Sequence, residues 1–280
     1  MSEAVRKFSL AMYDKGNKNN TRYEYTLNNI FKNGLLTEPD GLGLQNTVNY
    51  SKVSSKNIIS DFQTELIPIT CILSFLKYSQ YNLFTKRIRN VNYKAELLYE
   101  IDIDGEKKEY KRDVVIENVS KSEKKLGTLS CNVTFNPTSF WFEEVEYDLN
   151  LVANEYTMEL FTNDSEQDCE IEFMCSISNM NEFIFSISGN NFLRACKLKN
   201  LNQLEYKILR YSSNSNDYYL IVQPNNPTTE LKQNILTEKF VDLEYAPLFQ
   251  IPAKENVYLQ FKADVATLVK LKIRKFYVSV

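Results

Sequence analysis

Carboxylates are the only side chains in this sequence whose types and spacing offer acid–base chemistry. The 280 residues include no histidine, which removes imidazole as general base, as partner to a serine or cysteine nucleophile, and as metal ligand. Three acidic groups remain: Asp102 with Asp104, the run Glu143, Glu144, Glu146 and Asp148, and Glu170 with Glu172. Two acids about 5 to 9.5 Å apart across a cleft can hydrolyse a glycoside. Alternate acids on a strand, such as Glu170 and Glu172, also describe a solvated strand face. Asp102 and Asp104 flank a turn, where aspartate is favoured for local reasons, and the segment DIDGE supplies too few oxygens for calcium. None of the three makes a persuasive catalytic pair, and the sequence reads as a non-enzyme.

Other chemistries are disfavoured in turn. The five cysteines, Cys71, Cys131, Cys169, Cys175 and Cys196, form no CxxC pair, so neither zinc nor dithiol redox chemistry is indicated and buried free thiols are expected. Cys169 and Cys175 share a strand face but would lie roughly 20 Å apart, too far to bridge. With 7 glycines and neither GxGxxG nor GxxxxGK[ST], there is no dinucleotide or P-loop cradle. No cofactor and no metal are expected. Lys+Arg 33 against Asp+Glu 36 gives a net charge of −3, which draws the chain neither to phosphate backbones nor to anionic lipid. No segment approaches the roughly 20 apolar residues of a membrane span, and the N-terminus lacks the apolar stretch of a signal peptide.

The elements that would position functional residues are mainly strands. Short runs rich in Val, Ile, Thr, Tyr and Phe alternate with polar residues and are broken by Asn, Asp, Ser and Gly, the pattern of a mainly β protein. Pro39, Gly41 and Gly43 fall in a turning stretch between early strands. A strand is expected over DFQTELIPITCILSF, with Pro68 marking an edge or a bulge. One amphipathic helix is predicted in KYSQYNLFTKRIRNV, where Tyr78, Tyr81, Phe84, Ile88 and Val91 recur every three or four residues and form its packing face. The step Asp104-Gly105 between KAELLYEIDI and KKEYKRDVVIEN signals a hairpin. Phe140, Trp141 and Phe142 form the most aromatic triplet, either a buried strand end or a sugar-stacking platform. From Leu151 a second all-β series begins, so domains of 1–150 and 151–280 are expected, the second a sandwich or jelly roll.

Three segments together resemble one known family. TEPDGLGL at residues 37–44, the strand before the aromatic helix, and EYKRDVVIENVSKSEKKLGTLSCNVTFNPTSFWFEE at residues 109–144 follow one another as in the distal tail proteins of siphophages, the siphovirus-type tail component family. The last block resembles that family's aromatic and Arg-Asp-Val strand, Lys-Ser-Glu turn, and strand ending in Ser, an aromatic and Trp. The positions that carry the likeness, expected to serve assembly or the fold, are Pro39, Gly41, Gly43, Asp104, Gly105, Tyr110, Arg112, Asp113 and Trp141.

The resemblance implies an N-terminal β-sandwich-like domain, with one helix and a hairpin, that assembles into a homo-oligomeric ring, usually a hexamer. Such a ring joins the tail tube protein to the tail tip protein and carries receptor-binding proteins or side fibres. It implies a place at the tip of the virion tail, after synthesis in the bacterial cytoplasm. It also implies a galectin-like jelly roll at the C-terminus, here departing from sugar-binding galectins in having no histidine and no tryptophan after Trp141. A docking platform or spacer is the expected role, and a carbohydrate-binding module with Tyr218 and Tyr219 as sugar contacts is the alternative. In a closed ring each contact joins two different patches. The hairpin at Asp104-Gly105 and the loop from Pro39 to Gly43 are expected beside such contacts.

Overall fold

The computed structural model describes residues 5–13, 22–43, 45–53, 56–103, 105–123, 128–214, 218–224, 232–242, 250–278 and 280. Asp104 and the end of the Lys-Ser-Glu turn, residues 124–127, lie outside them. The chain divides into two compact units, Met1–Phe142 with Tyr277–Val280, and Glu143–Phe276.

The first unit holds β1 (Val5–Tyr13), β2 (Arg22–Thr26), β3 (Asn28–Asn29), β4 (Gly34–Asp40), β5 (Gln45–Val53), β6 (Lys56–Glu65), β7 (Ile69–Phe75), α1 (Tyr78–Asn90), β8 (Lys94–Ile103), β9 (Glu106–Glu123) and β10 (Leu129–Pro137). β11 (Trp141–Leu151) starts in it. Antiparallel pairing gives the order β2-β1-β8-β9-β10-β7-β4-β3. Bonds from Leu27 N to Phe8 O at 2.8 Å and from Leu36 N to Leu27 O at 2.7 Å bring the last strands back beside the first. The sheet thus folds over a single core that includes Leu10, Leu73, Phe75, Leu97, Val133, Phe135 and Trp141. Among the described residues β5 and β6 pair only with each other, as a separate two-stranded sheet.

The run containing Pro68 is not one strand. It splits into β6 and β7 around residues 66–68, and β7 is flanked on both sides, by β10 and β4. Proline lacks the N–H that a flanked strand must donate, so pairing stops before it and resumes at Ile69.

Helix α1 forms where expected. Phe84, Ile88 and Val91 are buried and Tyr81 is partly so, but Tyr78 is 56% exposed. The first turn is held elsewhere: Lys77 N donates to Gln80 Oε1 at 2.8 Å, while Gln80 Nε2 donates to Lys32 O at 2.6 Å and Ile30 O at 3.2 Å. Arg87 and Arg89 in the last turn favour the negative end of the helix dipole.

The second unit holds β12 (Tyr156–Thr162), β13 (Glu170–Ser176), β14 (Phe183–Ser188), β15 (Leu193–Leu198), β16 (Ile208–Ser212), β17 (Tyr219–Gln223), β18 (Gln233–Asn234), β19 (Asn256–Ala263) and most of β20 (Thr267–Tyr277). Its strands form two sheets, β18-β17-β16-β13-β20-β11 and β12-β19-β14-β15. The inner faces share one core, so this unit is a two-sheet β-sandwich. Phe173 sits at its centre, with ring centroids of Phe185, Tyr211, Phe261 and Phe183 at 4.7, 5.0, 5.6 and 5.7 Å. All five cysteines are buried and free. Burial pushes the thiols of Cys71, Cys169, Cys175 and Cys196 up to about 12, which keeps them protonated and inert at neutral pH.

Candidate functional site

Most positions behind the family likeness converge in the first unit. Trp141 is fully buried at the start of β11, and its Nε1 donates to Leu42 O at 3.3 Å, the carbonyl between Gly41 and Gly43. Its ring lies 5.8 Å from Tyr99, which stacks on Phe8 at 4.8 Å. The Arg112 guanidinium, on β9, sits 5.4 Å from the Trp141 ring and donates from Nε to Ser139 O at 3.0 Å. One residue on, Asp113 N donates to Ser139 Oγ at 3.0 Å and Asp113 O accepts from Thr138 N at 2.8 Å. These bonds fix the turn before Trp141 and, through it, the glycine loop.

Arg112 is 1% exposed, and its Nη1 finds no hydrogen-bond partner among the described residues. Burial lowers its pKa to about 10, with no carboxylate offsetting the shift. Arg112 is therefore a buried cation maintained at a cost in desolvation.

Gly41 holds a conformation and a close approach that any side chain would strain. Its φ is +86°, and a Cβ there would lie 2.2 Å from Pro68 O. Gly43 is open, and a Cβ at its position would meet nothing within 4 Å. We expect Gly41→Ala to lower the unfolding free energy by about 2 kcal/mol or more in urea titration, while Gly43→Ala changes it by less than about 0.5 kcal/mol. Equal effects would show that the loop is not pinned against Pro68. Pro39 and Asp40 close β4 beside a register shift that begins after Thr37, where Glu38 takes a φ of +52°.

The remaining expected positions lie apart from the tryptophan. Gly105, φ +90°, turns the β8–β9 hairpin at an exposed tip, its N–H donating to Asp102 Oδ1 at 3.1 Å. Tyr110, further along β9, meets Tyr277 edge-on at 5.5 Å.

The acidic groups are engaged in structure. Glu144 pairs with Arg274 at 3.2 Å and Lys272 at 3.7 Å, and Glu146 with Lys272 at 3.1 Å. Glu172 accepts from Arg210 Nη2 at 2.8 Å and from the Tyr219 hydroxyl at 3.0 Å. Asp102 accepts the Gly105 N–H at its hairpin turn. Among the described residues no cluster of three or more Cys, Asp or Glu has the form of a metal site.

Tyr218 and Tyr219 do not form a paired platform. Tyr218 packs edge-on against Tyr211 at 6.2 Å with its hydroxyl buried and unpartnered among the described residues, whereas Tyr219 reaches Glu172. Tyr218→Phe should stabilise the second unit by about 1 kcal/mol by removing an unsatisfied hydroxyl. Tyr219→Phe should destabilise it by about 1–2 kcal/mol by removing a hydrogen bond to a carboxylate. Thermal melting checks both, and loss of stability in Tyr218→Phe would contradict the first.

An exposed apolar group on β12 has no clear mark in the sequence. On β12, Tyr156, Met158 and Leu160 point outward, each 55–59% exposed, while Phe161 points in. Opposite them on the same face lies Tyr258, paired with Leu160, and across the sheet is Leu193, 70% exposed. Alternation was visible in YTMEL, but the apolar set would ordinarily face the core. Only the break in parity at Leu160-Phe161 hinted at the inversion. A second exposed group surrounds α1: Tyr78, Leu83 and, on the β3–β4 turn, Phe31 at 77%.

Comparison with known proteins defines the class. The fold is shared with a chain of the phage P2 baseplate in its activated conformation, solved with calcium and again with strontium. Each match has a TM-score of 0.67 and 14% identity over 99% of this chain and 100% of that one. The SPP1 Dit protein, described as a paradigm of the hub adsorption apparatus in phages infecting Gram-positive bacteria, aligns at a TM-score of 0.48 and 12% identity over 94% of this chain and 98% of that one. No curated protein matches in sequence. Residues 16–138 match the family model of the distal tail protein N-terminal domain, a span that lies inside the first unit. Residues 16–138 thus carry the N-terminal domain of the distal tail protein family.

Proposed function

We propose that this protein is the structural hub at the distal end of a phage tail or of a phage-derived tail-like particle. Its first unit closes with copies of itself into a ring, six-membered by analogy with the family, between the tail tube protein and the tail tip protein. The second unit is a docking platform for receptor-binding proteins or side fibres, with the outward face of β12 and β19 as its surface. The mature location is the tail tip, after synthesis in the host cytoplasm. A hub works by holding partners and carries no catalytic step.

The observation that carries this reading is the family match over residues 16–138 together with a baseplate-chain fold over 99% of the sequence. The packing of the family positions supports it: the glycine loop, Arg112, Asp113 and Trp141 form a rigid internal brace, which a ring under mechanical load requires. The carbohydrate alternative is not favoured, since Tyr218 is used in packing and Tyr219 in binding Glu172. Gold-labelled antibody against the chain should mark the far end of the tail in electron micrographs. Label along the tube or on the head would overturn the reading.

A further inference from the structure

Helix α1 presents a charge pattern unlike that of the chain as a whole. Although the protein is net acidic, residues 76–95 contain Lys77, Lys86, Arg87, Arg89 and Lys94 and no acid. An open groove runs along one side of the helix, with Tyr78 and Tyr81 at one end and Thr85, Lys86, Arg89 and Asn90 at the other. The Lys121 ammonium, from β9, lies 4.9 Å from the Tyr78 ring centroid and adds to the positive field. Arg87 is already engaged, over the ring of Tyr23 at 3.6 Å. Lys86 and Arg89 are exposed and make no ion pair among the described residues. Half-exposed Tyr78 gives the same surface apolar area to bury.

The chain carries a complementary feature. At the end of β4, Glu38 and Asp40 are both exposed, two residues apart, and separated by Pro39. The proline ring and the left-handed Glu38, φ +52°, restrict this turn, so presenting both carboxylates costs little further entropy. Asp40 Oδ1 also accepts the Gly41 N–H at 2.9 Å, and Gly41 is itself seated against Pro68. Within one subunit no ion pair joins Glu38 or Asp40 to Lys86 or Arg89.

We propose that one ring contact is the Glu38–Asp40 turn of one subunit seated on the Lys86–Arg89 groove of the next. This rests on the ring reading above and names its two halves. A closed ring requires one patch to meet a different patch on the neighbour, and here the two patches have opposite charge. Tyr78 and Tyr81 would supply the apolar part of the contact, with the ion pairs fixing direction and register.

Reversing charges tests it. Lys86→Glu with Arg89→Glu gives a chain whose groove repels its own turn, and Glu38→Lys with Asp40→Lys gives the converse. All four positions are exposed, so melting temperatures should stay within a few degrees of wild type. By light scattering each double variant alone should remain at the subunit mass of 32.7 kDa. An equimolar mixture should recover the ring mass, because alternating subunits then match at every contact of an even-numbered ring. The fourfold variant should also recover it. Double variants that keep the wild-type ring mass would place the contact elsewhere and leave the ring reading intact. Double variants that lose it without rescue in mixture would overturn the pairing. A wild-type chain that never exceeds the subunit mass would overturn both.

Discussion

Trp141→Ala should unfold the first unit at a denaturant concentration far below wild type, with a loss of about 3–5 kcal/mol, the usual cost of emptying a large aromatic site. Trp141 is fully buried, and the cavity would open beside Tyr99 and Arg112. The loss has a second part. Without Nε1–H, Leu42 O loses its donor, so the Gly41–Gly43 loop is no longer tied to the strand that leaves Ser139. Trp141→Phe separates the two, since it keeps much of the volume and removes the hydrogen bond; about 1–2 kcal/mol is expected. Urea titration followed by circular dichroism measures both. A Trp141→Ala loss under about 1 kcal/mol would mean that the brace does not organise this unit.

Arg112→Met should do the opposite and stabilise the first unit by about 1–3 kcal/mol at neutral pH. Arg112 is buried with one hydrogen bond from Nε, an unpartnered Nη1 and no facing carboxylate among the described residues, and the Trp141 ring at 5.4 Å offsets only part of the desolvation. Methionine has similar reach and no charge to bury. The sign follows from the pKa. Burial lowers the folded value of Arg112 to about 10, well below that of the open chain, so the native state disfavours its charged form. Above about pH 10 the unfolded chain binds more protons than the native one, so this group's penalty, constant below that pH, is relieved as pH rises through it. Arg112→Met should therefore lose this relief, so that its stability advantage over wild type shrinks as pH rises above about 10. If Arg112→Met unfolds more easily than wild type, the cation contributes more to the fold through Ser139 and Trp141 than its desolvation costs.

The place of Arg112 in the fold is at a turn. Arg112 and Asp113 both hold Ser139, and so fix where β11 departs. The family likeness marked these positions in the sequence without placing them together. Composition and period alone gave an aromatic triplet and a mixed-charge strand, with nothing to bring residues 41, 112 and 141 together, because such contacts depend on the order of strands in the sheet.

Elements with strong local signals were readable. The hairpin turn at Gly105 follows from a backbone conformation that glycine adopts without strain, and α1 follows from its apolar period. The packing face of α1 was over-read at its start: Tyr78 lies in the first turn, where Gln80 rather than an apolar side chain ties the helix to residues 30–32. β15 has no local signal of this kind: LRACKL lacks β-branched and aromatic residues and owes its strand form to pairing with β14. The outward face of β12 was missed because alternation gives a period and not a direction. Its partners on β19 decide which side is covered.

That the chain builds a ring is tested most directly by the mass and image of the purified wild-type protein. Light scattering should give a particle near 6 × 32.7 ≈ 196 kDa, with negative-stain images of the same fraction showing closed rings with a central opening. A mass that stays at 32.7 kDa across the concentration range, with no closed particle in the images, would contradict the ring.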